Sequence, residues 1–350
     1  MNRRDFLRPQ QLLGSAARAL GLTDKILDLN LETDKPLARY SRAAMATSFE
    51  VLLPLGTPQG AAAAAEALDL VDRLEDQLTV YRDTSEMSRI NRLASEAPQH
   101  VEEHLFNLLS LANRLTQETE GAFDVAVGAV IKAWGFYRRR GRVPSPEERA
   151  EVMEKSGMQH VVLDPEKRTI HFRRPGLEIN LGSIGKGYAL DRVAHVLRNQ
   201  RGITTAMLHG GHSSVLAMGS QPATRDGWPV GILHPQQRGR RLAIIHLRNR
   251  ALGTSAATFQ HLEHQGCKLG HILDPRTCWP AEGVLSASAT APSAALADAL
   301  ATAFYVIGVD KARTYCAGNP NIGAVLLTKE NNHPVILGHA QEEIDSPCLS

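Results

Sequence analysis

The sequence predicts an α+β fold. Apolar, strand-like runs occur in clusters, and long segments of helical periodicity separate those clusters. The strict strand-helix alternation of a doubly wound parallel sheet is missing. With 350 residues, 43% of them hydrophobic, the chain can bury a full core as one large domain or two interlocked ones.

The chain opens on Asn2-Arg3-Arg4-Asp5-Phe6-Leu7, the shape of a twin-arginine export core. Pro9, Gln10 and Gln11 interrupt it, and the apolar run 12–22 contains Arg18 and is too short to span a bilayer. Two readings stand: an exported, periplasmic protein, or a degenerate leader on a cytoplasmic one. The polar stretch 23–36 is a linker in either. The expected organisation is a leader-like segment and linker over 1–38, one domain over 39–340 and a tail over 341–350.

Residues 42–53 read as one strand, ended by Gly56, Pro58 and Gly60. A helix over 61–79 follows, with Leu68, Val71, Leu74 and Leu78 on a repeating face, and Ser85 and Glu86 start a shorter helix through Asn91. Another helix covers 102–118, with Leu105, Leu108, Leu109, Ala112 and Leu115 facing a core. Gly121-Ala122-Phe123-Asp124 then sets an aspartate beside a phenylalanine shortly before Trp134-Gly135-Phe136, as a ligand site or as a packed helix-to-loop junction. Residues 161–163 and 169–172 form a hairpin around an Asp164-Pro165 turn.

The most informative stretch is Asn180-Leu181-Gly182-Ser183-Ile184-Gly185-Lys186-Gly187-Tyr188. Residues 177–181 alternate as a strand does and 188–197 have helical spacing, so a strand, a glycine turn and a helix follow one another. Glycines let amide groups approach an anion, the helix start adds a favourable dipole, and Lys186 supplies a point charge. It is neither a P-loop nor a dinucleotide fingerprint, because Asn180 and Gly187 occupy P-loop positions and the glycine spacing runs the wrong way. Plain turn geometry is the alternative on this stretch alone.

Further strands are expected at 205–209, 228–232, 242–247 and 285–291. His261, His264, Cys267 and His271 cluster, but their spacing matches no familiar closed zinc site. A helix over 297–304 places Asp298 and Thr302 on one face, one turn apart. Together they offer hard oxygen donors that suit Mg²⁺; the alternative is an aspartate complementing the helix dipole and a threonine bonded to its own backbone. The net charge of +2 gives no footprint for nucleic acid, and the basic run 138–142 reads as an exposed loop before Pro144 and Pro146. The four cysteines form no CxxC pair, so neither redox catalysis nor a disulfide scaffold is indicated.

Taken together, these stretches resemble the FAD:protein FMN transferases, the ApbE-like family. Six motifs match in one order between about residues 44 and 308: Met45-Ala46-Thr47, Ser85-Glu86 through Asn91, Gly121 to Asp124, the Lys186-Gly187-Tyr188 corner, His271 to Thr277, and Ala297 to Thr302. The resemblance implies an ApbE-like α+β fold with mixed or antiparallel sheets, flanking helices and a cleft for a flavin nucleotide. It implies a Mg²⁺-dependent transfer of the FMN half of FAD to a threonine or serine hydroxyl of an acceptor flavoprotein subunit, with AMP leaving. Any membrane association would come through that acceptor.

By the same resemblance, Asp298, Thr302 and a backbone oxygen at Ser183 would hold the metal. Met45, Tyr81, Ala122, Phe123, Asp124, Asn180, Lys186 and Ile272 would contact the flavin nucleotide. Lys186 and His271 are the catalytic candidates, His271 for proton transfer from the acceptor hydroxyl. The chain departs from the family pattern at Ala46, Asn180, His212, Ala256 and Cys278. FAD hydrolysis to FMN and AMP, and FAD binding without turnover, are the alternatives at this stage.

Overall fold

The computed structural model describes residues 27–28, 36–138, 141–222, 227–237, 239–256, 261–264, 266–331 and 333–344. The twin-arginine-like start lies outside the described residues.

An eight-stranded antiparallel sheet forms the centre: β1 (Leu37–Ala44), β2 (Thr47–Pro54), β3 (Ala206–Gly210), β4 (Ser214–Met218), β5 (Arg250–Ala256), β6 (Val284–Ala291), β7 (Gly323–Thr328) and β8 (Val335–Gly338). Each strand pairs with its neighbour in this order, so the sheet is a meander with long insertions at its connections. Side chains alternate between two cores, as a pleated strand requires. Val51, Leu53, Leu216 and Met218 face a helical layer, whereas Leu52, Val215 and Ala217 face a small sheet of Leu27–Asp28, Trp228–Leu233 and Arg241–Leu247. Burial on both faces explains why β3 and β4 are buried at every position.

The helical layer is α1 (Gly60–Leu78), α2 (Glu86–Leu93), α3 (Glu103–Glu118), α6 (Gly185–His195) and α7 (Ala294–Gly318), the last broken at Gly308; α4 (Gly128–Ala133) and α5 (Pro146–Lys155) pack in a separate small cluster, and α8 (Ala340–Glu343) buries Ala340 on the other face of the sheet. Helices α1 to α6 are inserted between β2 and β3, and α7 crosses from β6 to β7. Two glycines let α7 lie unusually close. A Cβ on Gly187 of α6 would stand 2.1 Å from the Ala294 carbonyl oxygen, and one on Gly253 of β5 would stand 2.5 Å from that of Ala297. Those contacts fix the part of α7 that carries Asp298.

Several expectations need correction. The strand read over 42–53 is the hairpin β1–β2, turned by Met45 and Ala46 at φ 48° and 59°. The stretch 177–181 joins no sheet, although Leu177, Ile179 and Leu181 are buried. Its main chain is held by the Asn91 side chain, which donates to the Ile179 carbonyl at 2.9 Å and accepts from the Ile179 amide at 2.8 Å, and by the Asn180 amide bonding the Val125 carbonyl. Apart from these corrections, Leu27 is fully buried and pairs with Ile232. Ile344 bridges to Ile245. Among the described residues no helix is long and apolar enough to cross a membrane.

Candidate functional site

A cavity of about 370 Å³ opens between the glycine corner, α7, the loop after α3 and the segment carrying His271. Its first wall is the corner, supplying Asn180, Gly182, Ser183 and Lys186. Gly182, Ser183 and Ile184 form turns, and the helix begins at Gly185, so Lys186 stands in the first turn of α6. The Asn180 side chain accepts the Gly182 amide at 2.9 Å and thereby shapes the turn. The Lys186 side chain lines the cavity, and its charge acts on the Asp298 carboxyl.

Beside the corner, α7 brings Asp298 and Thr302 to the cavity lining. The Asp298 Oδ2 accepts the Gly187 amide and the Ser214 hydroxyl, both at 2.8 Å. Burial pushes the Asp298 carboxyl up to about 6, against the pull of Lys186, Ser214 and Gly187. One turn on, the Thr302 hydroxyl meets the Ser255 hydroxyl at 3.1 Å and donates to the Asp298 carbonyl at 3.3 Å. The second of these bonds is the backbone contact expected as the alternative to ligation, and it coexists with a hydroxyl that lines the cavity.

Ala122, Phe123 and Asp124 close a third side. The Asp124 carboxylate is committed to backbone amides, accepting Ala126 of its own loop at 2.7 Å and Met158, 34 residues on, at 2.9 Å. The fourth side carries His271 and Ile272. They precede a turn in which Asp274 accepts two bonds from the Arg276 guanidinium, at 2.8 and 2.7 Å.

Two sequence candidates are not among the cavity-lining residues. Met45 sits in the β1–β2 turn and packs on the main core. Tyr81 is 63% exposed and lies against Tyr137, with ring centroids 4.5 Å apart and the rings tilted by 35°. Sequence reading also missed Ser213, Ser214, Thr254 and Ser255, which bring hydroxyl groups to this region from β4, β5 and the turn before β4. No glycine motif or charge marks them, and the only signal is a pair of small polar residues at each of two sheet strands.

The departures from the family pattern fall in distinct places. Ala256 adds its methyl to the cavity lining; Ala46 bears the left-handed turn. Cys278 is buried behind the site, its carbonyl accepting the Trp134 indole N–H at 3.0 Å. His212 lies against His209, whose imidazole meets the Glu50 carboxylate at 3.1 Å. As for the histidine cluster, His261 and Cys267 sit on paired strands, and their side chains lie outside the described part. Among the described residues no group of three or more His, Cys, Asp or Glu is arranged to hold a metal.

The donor set does fit a hard cation. A buried carboxylate whose two hydrogen bonds both go to Oδ2, with the Thr302 hydroxyl and Ser183 lining the same cavity, is oxygen chemistry of the kind Mg²⁺ takes with substrate phosphates. The fold is α+β, and its cavity brings a lysine, a buried carboxylate and several hydroxyl groups together. The chain belongs to the ApbE family, whose sequence pattern matches residues 45–326. A FAD:protein FMN transferase of Treponema pallidum is 31% identical over 280 residues, covering 76% of this chain and 77% of the relative. That of Escherichia coli K12 is 28% identical over 273 residues, covering 76% and 75%. The ApbE protein of Thermotoga maritima superposes with a TM-score of 0.79 at 26% identity, covering 89% of this chain and all of that one. The flavin transferase ApbE of Vibrio cholerae gives 0.76 at 27% identity, covering 88% and 99%.

Proposed function

We propose that this protein transfers the FMN portion of FAD to a threonine or serine hydroxyl of an acceptor protein and releases AMP. The observation that carries the reading is the convergence of Lys186 and Asp298 on one cavity, held together by the bond from the Gly187 amide to the Asp298 carboxylate. The relatives' shared name supports the same reaction.

Asp298, Thr302 and Ser183 are the residues that would hold Mg²⁺, which supplies charge neutralisation for the diphosphate when bound. Lys186 provides a second positive charge at the corner, where the diphosphate would lie against the start of α6. The acceptor hydroxyl oxygen attacks the FMN phosphorus, a P–O bond forms, and the bond to the AMP oxygen breaks with its electron pair leaving on AMP. His271 lines the cavity and takes the hydroxyl proton. The Asn180 and Asp124 loops hold the walls in shape through their backbone bonds rather than through charge on the ligand.

The test is one incubation with FAD, Mg²⁺ and an acceptor peptide, followed by AMP assay and peptide mass. AMP together with a peptide heavier by one FMN supports the reading. AMP with an unmodified peptide makes the protein a hydrolase, and neither product makes it a binding protein.

A further inference from the structure

We propose that Asp191 is a positioning residue for the cation site, holding α7 where it presents Asp298 to the cavity. The inference rests on the reading of Asp298 as a cation ligand and goes beyond the residues that line the cavity, since Asp191 is not one of them.

Asp191 lies on α6, one turn beyond Gly187. Its two carboxylate oxygens accept the amides of Ala294 and Ala295, at 2.7 and 2.9 Å. These are the first two residues of α7, and the Ser293 hydroxyl takes the Leu296 amide at 3.3 Å. Three of the amides that a helix start leaves without intrahelical partners are thus satisfied, and the carboxylate opposes the positive end of the helix dipole. Most caps come from the residue just before the helix. This one comes from another helix, 103 residues earlier in the chain, so it also ties the two helices together.

The position of the tie gives it consequence. On α6, Gly187 and Asp191 are four apart and share a face; on α7, Ala294 and Asp298 do the same. Asp191 grips the start of α7, and the Gly187 amide grips Asp298 one turn later. Between these anchors Gly187 lets the helices touch, its missing side chain leaving room for the Ala294 carbonyl. Two anchors a turn apart set both the slide and the rotation of α7 against α6. Lys186, next to Gly187, is thereby held in register with Asp298. Release of the first anchor lets α7 slip, and a shift by one residue moves its side chains about 1.5 Å along the axis. That is enough to take Asp298 off the Gly187 amide and the Ser214 hydroxyl, both now at 2.8 Å.

The experiment titrates Mn²⁺ alone into the full-length wild-type protein, Asp191→Ala, Asp191→Asn and Asp298→Ala, following free Mn²⁺ by electron paramagnetic resonance. Wild type binds and Asp298→Ala does not. Asp191→Ala binds about tenfold or more weakly, the usual scale for a residue that orients a ligand. Asp191→Asn falls between, because its amide oxygen keeps one of the two bonds. In the transfer assay Asp191→Asn needs more Mg²⁺ for half-maximal rate and regains wild-type kcat at saturating Mg²⁺. A merely structural role would lower Tm and kcat and leave the half-saturating Mg²⁺ unmoved. If Asp191→Ala does not fold, Asp191→Asn decides. Unchanged Mn²⁺ affinity in folded Asp191→Asn, with wild type binding, overturns the role of Asp191 and leaves the cation reading intact. Failure of wild type to bind Mn²⁺ overturns the cation reading and this proposal with it.

Discussion

The backbone amide of Gly187 donates a 2.8 Å hydrogen bond to the carboxylate of Asp298, 111 residues further along the chain. That bond joins the glycine corner to α7 and makes one site of two motifs that are remote in sequence. It also sets a chemical condition: Oδ2 is occupied by Gly187 and Ser214, so a cation bound as proposed would take Oδ1.

Asp298→Asn tests this directly. The amide keeps the shape and one acceptor for Gly187 but removes the negative charge. AMP release at saturating FAD and Mg²⁺ should fall by about a hundredfold or more, the scale on which loss of one oriented electrostatic group acts in a water-poor site. Thermal unfolding should change little or shift upward, because a buried charge has been removed. Undiminished turnover would take Asp298 out of the mechanism.

Gly187→Ala tests the packing. The new methyl would stand 2.1 Å from the Ala294 carbonyl oxygen and 2.7 Å from the Ala295 nitrogen, both backbone atoms. Alanine gains roughly 1 kcal/mol over glycine in a helix, but pushing two helices apart costs about 1–3 kcal/mol and often more, so the clash wins. Urea unfolding should show net destabilisation. Gly318→Ala, near the end of α7 with nothing within 4 Å of its Cβ, is the control and should be neutral or stabilising.

Much of the site was legible because its chemistry needs unusual residues at fixed spacing. Three glycines and a lysine at 182–187, and Asp298 with Thr302 one helical turn apart, stand out from ordinary core patterning. The hydroxyl residues at 213–214 and 254–255 did not, since a small polar residue on a strand buried on both faces carries no periodic signal. The β1–β2 hairpin was hidden for a related reason: its turn is Met45-Ala46, without the glycine or asparagine that marks such turns. By contrast, α5 had a readable start. Ser145, Pro146 and Glu148 form a capping box with proline in the first turn, overlooked because the preceding basic run drew the reading towards a loop. The alternation at 177–181 was real and still misleading, because burial alone does not decide which groups take the backbone bonds.

Ala46→Gly should stabilise the protein. Ala46 holds φ 59°, a left-handed conformation that costs an L-residue roughly 1–2 kcal/mol. Glycine removes that strain and gives back part of the gain through the greater freedom of its unfolded chain. The net expectation is an increase of about 0.5–1 kcal/mol in unfolding free energy, read from urea midpoints at constant slope. Because Ala46 does not line the cavity, transfer activity should stay the same, and a fall in stability would show that the turn is held by contacts of the Ala46 methyl.

Asp124 makes the stability of the protein depend on pH in a direction opposite to that of an ordinary ion-paired carboxylate. Burial pushes its carboxyl from an ordinary 3.8 up to about 6, and the Met158 and Ala126 amides pull it down without cancelling that effect. Between those two values the folded protein keeps a proton that the unfolded chain has released. The folded state then binds more protons, so this component of stability is present at low pH and is lost as pH rises through about 6. Its full size is on the order of 3 kcal/mol, the free-energy equivalent of moving the carboxyl from 3.8 to about 6. Asp124→Asn deletes the titration while also giving up one of the two amide bonds, a cost that does not vary with pH. The level of the variant's stability is therefore uninformative, and its slope decides. Urea unfolding of both proteins at about pH 4 and about pH 7, with metal chelated, should show the variant improving relative to wild type as pH rises. Parallel behaviour would mean that Asp124 ionises at its ordinary pH and that its two amide bonds, rather than burial, govern its charge.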